Sequence, residues 1–271
     1  MSATDQTASS LFRAGKLTEA VASAQAALRK APTDLSARVL LAELLCFSGN
    51  LERADVILDA ASTIDPSSAL VVAEFRQLVR ADMARRQLFR DGRVPEFLGE
   101  PTETQRLQLA ALVAWRAGDF ADAAQQSAAA EAVRAHCAGK HNNTPFDDMR
   151  DIDDLLAGTL EVLTTTGKYY WVPTERLISA SFHAPKRPRD LLWRRASVSV
   201  DAGPDGDVYV PAIYAGDDSA SEAQRLGRET DWLQADGGPV RGVGQRVFLL
   251  GEEDLAIMDL GELTFPGVGG A

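Results

Sequence analysis

Apolar and small residues recur at helical spacing through the N-terminal half, and the spacing itself repeats. Leu11, Gly15, Leu17, Ala20, Ala27 and Pro32 are matched 34 residues later by Leu45, Gly49, Leu51, Ala54, Ala61 and Pro66. A fixed period of this length predicts stacked helix-turn-helix units. Each position has a mechanical reason. Glycine lets the chain leave the first helix without a Cβ penalty. The leucine after it plugs the gap between the two helices, and the alanines let the helices approach closely. Proline stops the second helix.

A third unit is predicted from Ala69, and its helical pattern holds to Leu88, although Met83 stands where the turn glycine belongs. Leu88-Phe89-Arg90-Asp91-Gly92-Arg93-Val94 echoes Leu11 to Leu17, and Pro95 to Pro101 then breaks the helix. The pattern recovers with Ala111, Ala114, Gly118, Phe120, Ala123 and Ala130 and ends near Cys137. The units resemble tetratricopeptide repeats, with Arg38 where such repeats usually place a large aromatic.

Beyond a polar break from Gly139 to Pro145 the texture changes. Phe146 to Val162 is predicted as a helix with Asp147 as its N-cap. Short β-type runs follow at Tyr169 to Val172, Ala196 to Val200, Val208 to Tyr214, Arg246 to Leu250 and Ala256 to Asp259. Ala202 to Gly206 reads as a hairpin turn. No helices alternate with these runs, which argues against a parallel sheet. The expected class is α+β: a repeat domain over 1–137, then a small, mostly antiparallel, barrel-like β domain with one flanking helix over 138–271.

The net charge of −11 lies mostly in the second half, which carries −9 against −2 for residues 1–137. That balance argues against a nucleic-acid partner, which needs a cationic footprint, and against an anionic membrane surface. Two cysteines, Cys46 and Cys137, make no disulfide framework and point to a reducing compartment. The N-terminus lacks an apolar signal core, and no apolar run is long enough to span a bilayer. The expected location is the cytoplasm.

Motifs for catalysis are missing. No phosphate-cradling glycine loop and no Gly-x-Ser-x-Gly elbow occurs. His136, Cys137 and His141 lack a fourth metal ligand at a second spacing. His183 has no evident catalytic partner. Asp147, Asp148, Asp151, Asp153 and Asp154 read as a solvated helix start whose carboxylates complement the dipole. Lys186, Arg187, Arg189, Arg194 and Arg195 pair with that run or meet an acidic partner. In Tyr169-Tyr170-Trp171-Val172-Pro173, alternation sets Tyr169 and Trp171 on one face and Tyr170 on the other. One face is core, and the other is either core or a recognition surface, as Tyr and Trp dominate hot spots. Asp231-Trp232 carries the same two readings.

Phe146-Asp147-Asp148-Met149-Arg150-Asp151-Ile152-Asp153-Asp154, Gly167-Lys168-Tyr169-Tyr170-Trp171-Val172-Pro173, Arg189-Asp190-Leu191-Leu192-Trp193 and Leu226-Gly227-Arg228-Glu229-Thr230-Asp231-Trp232 resemble the ImpE, SciE or TagJ family. The resemblance implies a cytoplasmic, non-enzymatic accessory role in bacterial type VI secretion, with no cofactor. It further implies, as partners, the N-terminal helix of the small sheath subunit and a ClpV-type AAA+ ATPase that recycles the sheath. A repeat array independently offers a groove for an amphipathic helix. Repeat geometry lines that groove with Val39, Glu43, Cys46 and Phe47, and in the later unit with Gln108, Leu112, Trp115 and Arg116. The apolar members are equally suited to packing against the C-terminal domain. Tyr170 and Trp171 complete the partner-binding candidates. A generic scaffold for another secretion component, or a hydrolytic or metal-dependent C-terminal enzyme, are the rival readings.

Overall fold

The structure, a computed structural model, describes residues 7–201, 203–215 and 219–266. Seven helices come first: α1 (Ala8–Arg13), α2 (Leu17–Lys30), α3 (Leu35–Phe47), α4 (Leu51–Ile64), α5 (Ala69–Asp91), α6 (Glu103–Arg116) and α7 (Phe120–Val133). The chain passes from α1 to α2 at Gly15 (φ 83°) and from α3 to α4 at Gly49 (φ 84°), the left-handed conformation the repeat demands. The α6–α7 pair turns at Gly118. The third unit differs. With no glycine at Met83, α5 runs 23 residues as one helix and stops at Gly92. Pro32 lies just beyond α2, whereas Pro66 opens a short 3₁₀ turn, Pro66–Ser68.

Strand β1 (Glu96–Phe97) lies between α5 and α6, and after α7 come β2 (Gly139–His141), β3 (Thr144–Phe146), β4 (Met149–Asp151), β5 (Thr159–Leu163), β6 (Tyr169–Pro173), β7 (Leu177–Phe182), β8 (Trp193–Val200), β9 (Gly206–Pro211), β10 (Thr230–Leu233), β11 (Arg241–Gly244), β12 (Val247–Leu250), β13 (Glu253–Ala256) and β14 (Glu262–Thr264), with a short helix α8 (Glu222–Arg225) before β10. Nine of them form one open sheet, ordered β1-β6-β5-β9-β8-β7-β14-β2-β3. Only the β1–β6 pairing in it is parallel. β13-β12-β4 makes a second sheet and β10-β11 a hairpin. The class is α+β, as expected, but the sheet has two edges instead of closing into a barrel.

No helix forms over 146–162. That stretch holds β4, a run of turns and β5. The cause is local competition by aspartate side chains. Asp151 Oδ1 accepts from the Asp153 amide at 2.9 Å, and Asp153 Oδ1 accepts from the Leu155 amide at 3.0 Å. Such bonds turn the chain and remove amides that a helix would use. The last predicted strand is also displaced, from 256–259 to β13.

One apolar cluster joins both halves of the chain. Leu41, Leu44, Phe47, Phe75 and Leu78 of the helices pack with Leu163, Trp171, Trp193 and Tyr209 of the sheet. A second cluster fills the far side of the sheet, with Val162, Val172, Val198, Phe248 and Leu263.

The C-terminal half also caps the repeats. Lys16 gives α2 no side-chain cap. Glu222 supplies one from α8, accepting from the amides of Leu17 (3.0 Å) and Thr18 (2.8 Å). Arg228 Nη2 donates to the Phe12 and Arg13 carbonyls ending α1 (2.8 and 3.0 Å), and Arg225 Nη1 donates to the Ser48 carbonyl after α3 (3.2 Å). These groups meet the opposite ends of the helix dipoles with the matching charge.

Candidate functional site

The inner face of the repeats divides into a closed and an open part. On α3, Val39, Glu43 and Phe47 succeed one another at four-residue steps and share a face. Glu43 is buried and lies 3.2 Å from Nη1 of Arg189, which rises from the 3₁₀ turn Pro188–Leu191. The Arg189 guanidinium covers the Phe75 ring of α5 at 4.4 Å, and Trp193 meets the same ring edge-on at 6.1 Å. Burial raises the Glu43 carboxyl pKa against the lowering effect of Arg189. Phe47 is buried against Phe12, with ring centroids 5.3 Å apart. The Arg189-to-Trp193 segment thus fills the middle of the face.

Gln108 and Leu112 of α6 are also buried, and Gln108 bonds Thr159 at 2.8 Å. Trp115 is half-buried under the guanidinium of Arg241, 4.5 Å from its ring centroid. Arg116 is half-buried beside Gly92. In β6, Tyr169 and Trp171 share a buried face, and Trp171 Nε1 donates to Tyr169 Oη at 2.6 Å. Tyr170, on the other face, is half-buried. Of the nine candidates, Val39, Trp115, Arg116 and Tyr170 retain surface, while Glu43, Phe47, Gln108, Leu112 and Trp171 are enclosed by this chain.

The open part lies one turn toward the helix N-termini. Val39 precedes Glu43 there, and Val71, 52% exposed, precedes Phe75. Leu70 beside it is 72% exposed. Sequence reasoning singled out neither Leu70 nor Val71.

Beneath the closed part lies a buried charge network. Arg85 of α5 forks onto Glu161 of β5 with Nε at 2.9 Å and Nη2 at 3.0 Å. Arg246 Nη2 and Tyr169 Oη also donate to Glu161. Burial works to raise the Glu161 pKa, but Arg85 and Arg246 prevail and hold it at about 2. Arg246 also faces Asp151 at 3.4 Å, and Arg241 holds Asp153 at 2.8 Å. The acidic run is therefore no solvated helix start. Its partners are Arg134 for Asp148, Arg150 for Asp154, Arg246 and Arg241. The basic cluster pairs elsewhere, Arg189 with Glu43, Arg195 with Asp207 and Arg194 with the Met258 carbonyl.

His183 does gain neighbours: its Nε2 is 2.9 Å from Ser197 Oγ. However, Ser197 donates to Asp207 at 2.6 Å, and Arg195 binds the same carboxylate. Asp207 therefore takes the serine proton's direction instead of orienting the imidazole as a base, contrary to what an activated nucleophile requires. His136 lies 3.4 Å from Asp148, and Gly261 N donates to His141 Nε2. Burial pushes the Cys137 thiol up to about 11. Among the described residues, no three His, Cys, Asp or Glu side chains are grouped to hold a metal ion. No helix among them is long and apolar enough to cross a membrane.

Residues 143–264 match the family model described as ImpE protein, and residues 11–73 match a tetratricopeptide repeat. A Pseudomonas aeruginosa protein named type VI secretion system accessory component TagJ is 34% identical over 95% of this chain and 90% of its own. The crystal structure of a Vibrio parahaemolyticus protein superposes with a TM-score of 0.90 at 30% identity, over 96% of this chain and 97% of that one. The repeats, the sheet and the full-length similarity together identify this chain as a member of the ImpE family.

Proposed function

We propose that this protein is a non-enzymatic, cytoplasmic accessory component of a bacterial type VI secretion system. In this reading it binds the N-terminal helix of the small sheath subunit and assists sheath assembly, or recycling by a ClpV-type ATPase. The observation that carries the reading is similarity along nearly the whole chain to the accessory component TagJ. The exposed Leu70 and Val71 at the start of α5 support it, since an amphipathic helix packs its apolar face on such side chains. Trp115, Arg116 and Tyr170 are secondary contacts in this proposal, and the enclosed candidates hold the groove's shape from within. The test is a pull-down with the sheath small subunit, intact and lacking its first helix. Binding is expected only to the intact subunit, and Leu70→Asp with Val39→Asp should weaken it at least tenfold. Equal capture of both forms overturns the helix-binding reading.

A further inference from the structure

The basic cluster from Lys186 to Arg195 is only partly spent inside the molecule. Arg189 is buried against Glu43, Arg194 donates to the Met258 carbonyl, and Arg195 pairs with Asp207. Lys186 and Arg187 remain exposed, with Asp190 3.4 Å from Arg187. Asp190 Oδ2 also accepts from the amides of Lys186 (2.9 Å) and Arg187 (3.2 Å), which fixes the backbone that carries both cations.

The course of the chain sets where these cations lie. Residues 183–192 join β7 to β8, and the segment is closed at its base by the His183 amide donating to the Arg195 carbonyl at 2.9 Å. Leu192 and Trp193 border one cavity with Phe47 of α3 and Asp82 of α5. Arg189 lies nearer the N-termini of both helices, on Glu43 and Phe75. The same direction, continued, carries Arg187 and Lys186 toward the end where Leu70 and Val71 are exposed. In keeping with this, the Arg187 charge reaches Glu43 and works against the rise that burial gives its carboxyl pKa. The start of α5 adds the same sign. Ser68 makes no side-chain capping bond and the first turn holds no acid, so no carboxylate of that turn offsets the positive end of the dipole. Glu74, one turn after Leu70, is exposed and of opposite sign.

We infer that Lys186 and Arg187 select a helix that carries carboxylates along one border of its apolar face. The apolar face lies on Leu70 and Val71, the carboxylates meet the two cations, and Glu74 keeps them on the side of the 183–192 segment. A cationic rim in a chain of net charge −11 gives the docked helix one favoured direction and disfavours basic competitors. The inference rests on the helix-binding reading above and adds to it the charge of the helix and the residues that sense it.

The test measures the affinity of the full chain for the sheath small subunit, intact and lacking its first helix. K186E/R187E should weaken binding to the intact subunit about tenfold, because each reversal turns an attraction into a repulsion. Added salt should weaken the wild type and leave K186E/R187E unchanged, since exposed charges are screened. Leu70→Ala should lose affinity and keep the salt dependence. Lysines in place of the carboxylates of the sheath helix should restore binding to K186E/R187E, whereas K186R/R187K should bind as the wild type does. Helix-dependent binding that ignores both salt and charge reversal overturns this inference and leaves the helix-binding reading standing. Binding that does not need the first helix overturns both. If K186E/R187E fails to fold by circular dichroism, the salt dependence of the wild type and of Leu70→Ala decides.

Discussion

Gly49 shows how much one backbone angle carries. Its φ of +84° is strained for any residue with a side chain, and Arg86 Nη1 closes the space where a Cβ would stand. Gly49→Val is expected to cost more than about 1 kcal/mol, read as a fall in Tm. Glu161 gives a second prediction. Glu161→Gln leaves Arg85 and Arg246 buried with their partner neutralised, and urea melts should show a loss of about 3–5 kcal/mol. Glu161 also has a pH signature. Its folded pKa of about 2 lies below the ordinary 4.5, so its contribution is present above that ordinary value and is lost as pH falls through about 2. Asp151 acts with the opposite sign, its share fading as pH rises through about 7. The glycine turns were legible because φ > 0 is a local demand that only glycine meets cheaply. The arginine partners were not. Glu161 meets residues 76 and 85 positions away, and nothing in a one-dimensional pattern ranks one arginine over another at that distance.

Elements depend on partners remote in sequence as well. The first turn of α2 takes its cap from Glu222, so Glu222→Ala should destabilise by about 1 kcal/mol. Hydrogen exchange should place that loss first at the Leu17 and Thr18 amides, and uniform loss across the chain would contradict it. The helix pairs of the first two units and the α6–α7 pair were legible from period and punctuation. The segment 146–162 was not, because its apolar residues suit either period until the aspartates bond their neighbours' amides. The aromatic run of β6 was legible in its alternation, with Tyr169 and Trp171 inward. Which candidates stayed accessible depended on Arg189, which no helical periodicity could place over Phe75.

For the whole molecule, the shared core means that the repeats are not self-sufficient. A fragment of residues 1–137 would leave Phe75, Leu78 and the inner face of α3 without Leu163, Trp171 and Trp193. That fragment is expected to unfold without a cooperative transition and to bind hydrophobic dyes, whereas the full chain melts as one unit. Two separate transitions in calorimetry of the full chain would sink this.

The capping of α1, α2 and α3 from residues 222–228 has a consequence for synthesis. Glu222 lies 205 residues after Leu17 in the chain. At about 5–20 residues per second, a ribosome reaches it roughly 10–40 s after the first repeat is made. Throughout that interval the nascent repeats carry uncapped ends and an uncovered apolar face. Chaperones that guard emerging chains are therefore expected to hold this protein until translation is nearly finished.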